Sequence, residues 1–241
     1  MKHKISFCFV CLLCVLLTGC SGADLVSYCV ADADGEAGEE LLVIAGGKGG
    51  QVLPTGEAYG SHLEIYKDFS MEEDVPRPRG KPWRRFDFTD LCPSKVQCGD
   101  VQGDGTMDIA ITVYKKTRFH PVEAKRPFFY YLNNGNLVPL WRGSRLSRPF
   151  RDFVLADLDQ DGADEILSLE ETLEGKGILA LYDWAGFGFD LAAQSREVDP
   201  ETVFVQKYRL EEPVAYCQSR GQYQAVFLQQ GILEIRNVKE E

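Results

Sequence analysis

The chain has 241 residues, of which 44% are hydrophobic, 26 are basic and 37 are acidic, and its formal net charge is −11. This length can bury a substantial core in one large or two small domains, and the many large apolar residues exclude a wholly disordered chain. The acidic balance excludes nucleic acid as the main partner, because phosphate binding requires a basic surface.

The first 19 residues are predicted to be a lipoprotein signal peptide. Lys2 and Lys4 precede an apolar run over residues 5–17, which is too short to cross a bilayer, since crossing requires about 20 residues. The run ends in Leu17-Thr18-Gly19-Cys20, which resembles the bacterial lipobox, and the alternative is an ordinary signal peptide with a chance cysteine. The resemblance implies a mature protein that begins at Cys20 and is anchored by lipid to the extracytoplasmic face of a bacterial cell membrane. Its 24 basic and 37 acidic residues would give it a net charge of −13.

Three later segments repeat one acidic pattern, which we call loop 1 (residues 32–40), loop 2 (residues 100–108) and loop 3 (residues 157–165). Each is preceded by a small residue, has oxygen-bearing side chains at positions 1, 3 and 5, has an acid at position 9, and is followed by an apolar run. The loops start 68 and 57 residues apart. Repeats of this size indicate propeller blades or another repeat array.

The residues after each loop predict β-strands. Residues 109–114 are rich in β-branched and aromatic side chains, and residues 166–169 and 41–44 are similar. An EF-hand would require a helix and a Glu at position 12, but Ile111 and Ser168 stand there in loops 2 and 3. Each loop is therefore predicted to join two strands.

The rest of each repeat predicts a further hairpin, so that each unit has the four strands of a propeller blade. In the second unit, residues 128–132 and 137–141 flank Asn133-Asn134-Gly135-Asn136, which is a strong turn signal. After the signal peptide, the predicted domain covers residues 20–241, with units at about 24–90, 91–146, 147–198 and 212–241. The fourth unit is predicted to be incomplete, since it lacks the acidic loop and the chain stops before a last strand.

The repeated acidic pattern resembles the FG-GAP or VCBS-type repeats of integrin-like β-propellers. The resemblance covers the three repeats between Ala31 and Leu169 well, and the residues from Val214 onward poorly. It implies an all-β propeller fold with bound calcium, and propellers of this family usually have about seven blades. The units found in this sequence instead predict a small or partial β-propeller of about four four-stranded blades, the last one incomplete. A closed propeller, an open one, and one completed by a second chain all remain open.

The loops also predict calcium binding from their own chemistry, because calcium takes six to eight oxygen ligands in a flexible cage. Side chains at positions 1, 3, 5 and 9, with a carbonyl at position 7, would supply those ligands. The alternative is an acidic, solvated turn without metal. The candidate ligands are Asp157, Asp159, Asp161, Ala163 and Glu165 in loop 3; Asp100, Gln102, Asp104, Thr106 and Asp108 in loop 2; and Asp32, Asp34, Glu36 and Glu40 in loop 1.

Four thiols remain in the mature chain if Cys20 carries lipid: Cys29, Cys92, Cys98 and Cys217. Cys29 and Cys217 stand at matching places in units one and four, so a disulfide between them would join the two ends of the domain. Cys92 and Cys98 would form a local bridge. Free thiols are the alternative. If the cysteines do pair, four of them allow three pairings, and sequence alone does not choose among these.

The basic residues are concentrated in the middle of the chain, where residues 77–151 include fifteen Lys or Arg and six Asp or Glu. We expect them in loops, where they would be either solvated charges or a surface for anionic envelope polymer or lipid headgroups. The candidate anion-binding residues are Arg77, Arg79, Lys115, Lys116, Arg118, Arg142, Arg145 and Arg148.

Catalysis has little support, because the chain lacks a Gly-x-Ser-x-Gly elbow and a His-Glu-x-x-His motif. The sequence therefore predicts a binding or scaffold module rather than an enzyme, with calcium as cofactor and an unidentified protein or envelope polymer as partner. The alternatives are an envelope enzyme acting on polysaccharide or another polymer, or an accessory subunit of one, and an envelope-assembly partner without a small ligand.

Overall fold

The computed structural model describes residues 25–46, 51–73, 75–143, 145–205 and 215–238. The predicted signal peptide and Cys20 lie outside these residues. The described part of the chain is built from β-strands, with a single 3-10 turn at Thr89–Leu91 and no α-helix. No helix in these ranges is both apolar enough and long enough to span a bilayer.

The strands form four antiparallel sheets of four strands each. Sheet 1 contains β1 (Leu25–Ala31), β2 (Glu40–Ala45), β3 (His62–Tyr66) and β6 (Arg84–Asp87), and a separate hairpin contains β4 (Phe69–Glu72) and β5 (Val75–Pro78). Sheet 2 contains β7 (Lys95–Gly99), β8 (Asp108–Thr117), β9 (His120–Asn133) and β10 (Asn136–Arg142). Sheet 3 contains β11 (Phe150–Ala156), β12 (Glu165–Glu171), β13 (Gly177–Trp184) and β14 (Phe189–Val198). Sheet 4 contains β15 (Val203–Val205), β16 (Ala215–Ser219), β17 (Gln222–Gln229) and β18 (Ile232–Asn237).

The predicted fold class is confirmed: the protein is all-β, with four four-stranded blades of the β-propeller kind. In each sheet the strands follow one another along the chain in the order in which they pair, so each sheet is a simple meander. The prediction that the fourth blade is incomplete is wrong. Its missing strand is β15, which precedes β16 in the chain and pairs with it from Val203 to Val205.

The turn chemistry explains the tight hairpins of sheets 2 and 4. Between β9 and β10, Asn133 pairs with Asn136 across Asn134 and Gly135, whose φ angles are 51° and 72°. Two consecutive positive φ angles define the type I′ turn that suits the twist of antiparallel strands, and Asn-Gly is its preferred sequence. The predicted hairpin at this place is therefore confirmed.

The chain divides into two compact units, one with sheets 1 and 2 and one with sheets 3 and 4. In the first unit, buried residues from β2, β3, β8 and β9 form one hydrophobic cluster, including Leu42, Ile65 and Ile111. In the second unit, residues from β11–β14 and β16–β18 form another, including Leu167, Leu181 and Val226. Because successive side chains of a strand point to opposite faces, the buried side chains of each cluster share one face of their sheets. Their packing holds the strands in place, and with them the ends of the loops that connect the strands.

Candidate metal centre

The three acidic loops occupy the same place in three sheets. Each connects the first strand of its sheet to the second, and each begins within one or two residues of the first strand's end. In all three, the backbone amide at position 2 donates a hydrogen bond to the acid at position 9. The pairs are Ala33 to Glu40 (3.0 Å), Val101 to Asp108 (3.2 Å) and Leu158 to Glu165 (2.7 Å). The repeat seen in the sequence is therefore a repeat of structure.

Position 4 of each loop has a left-handed backbone. The φ angles there are 70° at Gly35, 65° at Gly103 and 66° at Gln160. Glycine adopts this conformation without steric cost, whereas Gln160 pays about 1 kcal/mol for it. In loop 3 the Asp161 amide donates a hydrogen bond to Asp159, and the Gly162 amide donates one to Asp157. These two hydrogen bonds hold Gln160 in its left-handed conformation.

Loop 3 brings four carboxylates together. Asp157, Asp159, Asp161 and Glu165 each offer one oxygen, and these oxygens all lie within 4.8 Å of one another. Asp159 accepts the Asp161 amide at 3.0 Å, and Asp161 accepts the amide of Ala163, at position 7, at 2.8 Å. In the described part of the chain, Asp157 Oδ1 is buried without a hydrogen-bond partner. The loop thus uses some of its carboxylate oxygens to order its own backbone, and it leaves Asp157 Oδ1 without a hydrogen-bond partner in the described part of the chain.

The electrostatics around loop 3 disfavour the ionisation of two acids, Glu165 and the neighbouring Asp183. Burial raises the pKa of Glu165 to about 8, and the neighbouring Asp159, Asp183 and Asp157 add to the effect. Burial also raises the pKa of Asp183, and Asp159 and Asp161 raise it further. A divalent cation among these groups would favour their charged forms.

Loop 2 satisfies its own carboxylates instead. The side-chain amide of Gln102, at position 3, donates to Asp108 at 3.2 Å. Asp100 accepts the amides of Asp104 and Gly105 at 3.1 and 2.7 Å, and Asp104 accepts the Thr106 amide at 2.9 Å. Burial, opposed by the Val101 amide and reinforced by Asp104 and Asp100, raises the pKa of Asp108 to about 7. In the described structure Asp100, Asp104 and Asp108 of loop 2 do not converge within 4.8 Å as the acids of loops 1 and 3 do, and an amide donor stands where loop 3 has a carboxylate.

The acids of loop 1 are paired with a positively charged side chain from another part of the chain, Lys67. Asp32, Asp34 and Glu40 converge as the loop 3 carboxylates do, but the Lys67 ammonium lies 2.6 Å from Asp34 and 2.9 Å from Glu36. Burial of Asp34 would raise its pKa, yet Lys67 and the Glu36 amide outweigh burial and leave that pKa below its ordinary value. Lys67 thus supplies the positive charge that loop 3 lacks.

Strand register explains why Lys67 and Asp183 face equivalent loops. The residue after position 9 pairs with a tyrosine of the third strand in sheets 1, 2 and 3: Leu41 with Tyr66, Ile109 with Tyr130, and Ile166 with Tyr182. The next residue along the third strand is Lys67 in sheet 1, Tyr131 in sheet 2 and Asp183 in sheet 3. One strand position therefore carries a lysine beside loop 1 and an aspartate beside loop 3, and it is a tyrosine in sheet 2.

Sequence reasoning missed Lys67 and Asp183, although a signal for both exists. Each follows a tyrosine that ends an apolar-rich strand, so an alignment of third strands would have placed them together. Their proximity to the loops depends on strand pairing, which sequence spacing does not give. Calcium ligation by the predicted residues of all three loops stays a prediction, and loop 3 has the arrangement that suits it best.

The four predicted thiols Cys29, Cys92, Cys98 and Cys217 are all free in this structure. Cys98 interacts with Cys29 through a side-chain hydrogen bond, not with Cys92. The predicted pairing of Cys29 with Cys217 joins residues of the two different units and stays a prediction.

The candidate anion-binding residues all lie in the unit of sheets 1 and 2. Arg77 pairs with Glu72 at 3.5 Å across the β4–β5 hairpin. Lys116 and Arg118 are exposed at the tip of the β8–β9 hairpin, beside the exposed Phe119 ring. The pKa of the nearby His120 is lowered by burial and by the charges of Arg126 and Arg145, which places Arg145 near the same tip. Arg79, Lys115, Arg142 and Arg148 are distributed over β8, β10 and the segments that flank β5 and β11.

The chain matches no protein-family model, and a search of curated proteins finds no match either. The β-propeller architecture therefore rests on the strands themselves. The finer assignments to FG-GAP or VCBS repeats and to lipoproteins rest on the residue patterns, and they are part of the proposal that follows.

Proposed function

We propose that this protein is a lipid-anchored, extracytoplasmic binding or scaffold module of the FG-GAP or VCBS-repeat kind, stabilised by structural calcium in loop 3. The observation that supports calcium most directly is the convergence of four carboxylates in one nine-residue loop, with a buried Asp157 oxygen that has no hydrogen-bond partner among the described residues. Four-stranded blades present their connecting loops at the sheet ends, which is the usual binding surface of propellers.

The proposed role of calcium is structural because of where the ligands lie. The three aspartates belong to the segment that joins β11 to β12, Glu165 is the first residue of β12, and each of the four carboxylates accepts an amide of that segment. A cation here would tie the loop to the start of β12 and offset the repulsion among Asp157, Asp159 and Asp161. This chemistry supports a module that is held rigid, and we propose no catalytic step.

The experiment is thermal unfolding of the purified protein with chelator and with excess calcium. Calcium should raise Tm by about 3–10 °C, because a ligand that binds only the folded state at 10–100 times its Kd adds about 1.4–2.7 kcal/mol to the free energy of unfolding. The double variant Asp157→Ala with Asp161→Ala should lose most of this response.

The matched control is Asp104→Ala in loop 2, at the position that corresponds to Asp161. Its Tm in chelator should fall, because Asp104 holds the Thr106 amide, but the rise produced by calcium should stay as in the wild type. Equal Tm values of the wild type with chelator and with calcium would refute the calcium site. A calcium response lost in Asp104→Ala but kept in the double variant would move the site to loop 2.

A further inference from the structure

Two thiols meet between neighbouring sheets of the first unit. Cys29 lies in β1 and Cys98 in β7, and their side chains are joined by a hydrogen bond between the two thiols. The two strands are held side by side by a second contact, in which the Val96 amide donates to the Ser27 hydroxyl at 3.1 Å. The strands belong to different sheets, so this pair lies at a junction that no ladder of backbone hydrogen bonds closes.

The surroundings of the pair are apolar and well packed. Both thiols pack against the hydrophobic cluster that includes Leu42, Ile65 and Ile111, and both are half-buried. The hydrogen bond from Cys98 outweighs burial and lowers the pKa of Cys29, whereas the same bond and burial raise that of Cys98. The shared hydrogen bond thus favours ionisation of one thiol of the pair, and the thiolate is the form that attacks a disulfide.

We propose that Cys29 and Cys98 are a modification site, at which oxidation forms a disulfide that fastens β1 to β7. The oxidant is a low-molecular-weight or protein disulfide. The Cys29 thiolate attacks one sulfur of that disulfide, which releases one thiol and leaves a mixed disulfide on Cys29. Cys98 loses its proton and attacks the Cys29 sulfur, which releases the second thiol. Two protein thiols are oxidised and one external disulfide is reduced to two thiols.

The other two thiols have different surroundings. Cys217 is fully buried in the cluster of the second unit and lies against Gln224, to which its thiol donates at 3.8 Å. Cys92 follows the 3-10 turn Thr89–Leu91 with a left-handed φ of 45°. Burial and the nearby Glu123 and Asp90 raise the pKa of Cys92, which reduces its thiolate fraction. Among the described residues, Cys29 and Cys98 are thus the two thiols that contact each other.

A bond between Cys29 and Cys98 would have a large effect on stability. The two residues are 69 positions apart, and a cross-link that closes a long loop removes much of the conformational freedom of the unfolded chain. We expect a rise in Tm of about 5–10 °C on oxidation. The inference does not depend on calcium, because neither residue belongs to loop 3.

The experiment treats the purified, reduced protein with oxidised glutathione, blocks the remaining thiols with N-ethylmaleimide, and maps the cross-linked peptides by mass spectrometry. The expected product joins the peptides of Cys29 and Cys98 and leaves Cys92 and Cys217 alkylated. The rise in Tm on oxidation should disappear in Cys29→Ser and in Cys98→Ser, and it should persist in the matched controls Cys92→Ser and Cys217→Ser.

Two results would overturn the proposal. One is alkylation of Cys29 and Cys98 under oxidising conditions in protein that is folded by circular dichroism. The other is a cross-link that joins Cys92 to Cys98 or Cys29 to Cys217. If Cys29→Ser does not fold, Cys98→Ser and peptide mapping of the wild type decide the question alone.

Discussion

Glu170 shows how a single buried acid is accommodated in the third sheet. Its side chain is fully buried in β12, and burial of an acid is costly unless its oxygens are hydrogen-bonded. The Tyr182 hydroxyl donates to Glu170 Oε1 at 2.5 Å, and the Ser168 hydroxyl donates to the same oxygen at 3.1 Å. The three residues lie on two paired strands, so the acid is satisfied within one sheet.

The substitution Tyr182→Phe tests this arrangement, because it removes one donor and keeps the packed ring. We expect the free energy of unfolding to fall by about 1–2 kcal/mol, the range for a buried hydrogen bond whose partner is left behind. Chemical denaturation measures the change. Tyr114→Phe is the matched control, since the Tyr114 hydroxyl has no hydrogen bond within the described residues; its stability should stay within about 0.5 kcal/mol of the wild type. Equal losses in the two variants would contradict the role of Tyr182.

At the scale of elements, the same loop is closed in three different ways. Loop 1 holds Lys67 against its carboxylates, loop 2 turns the Gln102 amide onto Asp108, and loop 3 faces Asp183. The backbone bonds from position 2 to position 9 are common to all three. The loop backbone is thus retained while one or two side chains decide whether the site already contains its positive partner.

The substitution Lys67→Met tests whether this lysine takes the place of calcium in loop 1. It is made in the Asp157→Ala, Asp161→Ala background, so that a calcium response from loop 3 does not interfere. In chelator we expect Tm to fall by about 2 °C, because Asp34 and Glu36 lose their partner. Excess calcium should then restore or raise Tm, because Asp32, Asp34 and Glu40 converge in this loop.

The matched control is Lys176→Met, which removes the Lys176–Glu197 pair at 2.5 Å on exposed parts of β14 and the turn before β13. It should lower Tm slightly in both conditions without creating a response to calcium. If the Lys67→Met variant is also insensitive to calcium, then Asp32, Asp34 and Glu40 do not form a cation site, and loop 1 is a salt-bridged turn.

The elements that the sequence predicts well are those whose causes are local. The acidic repeats, the apolar runs after them and the Asn134-Gly135 turn each depend on residues a few positions apart. The strand β15 escapes prediction because only Val203–Val205 form it and its partner β16 begins ten residues later. Lys67, Asp183 and the contact of Cys29 with Cys98 escape because they depend on register and on packing between strands distant in sequence.

At the scale of the whole molecule, charge is divided between the two units. The candidate anion-binding residues lie in the unit of sheets 1 and 2. Loop 3, in which four carboxylates converge, lies in the unit of sheets 3 and 4. The acidic excess of the chain is thus partly a property of its scaffold loops and not of one uniform surface.

The lipid anchor itself is the last expectation to test. If residues 1–19 are removed and Cys20 carries a diacylglycerol, the two acyl chains suffice for stable membrane attachment, which a single chain does not give. Cells fed an alkyne-tagged fatty acid should label the wild-type protein, and the labelled protein should enter the detergent phase on Triton X-114 partition. Cys20→Ala should abolish the label, whereas Cys92→Ala should retain it. Label that persists in Cys20→Ala, or a wild-type protein that loses residues 1–19 without gaining lipid, would show that the leader is an ordinary signal peptide.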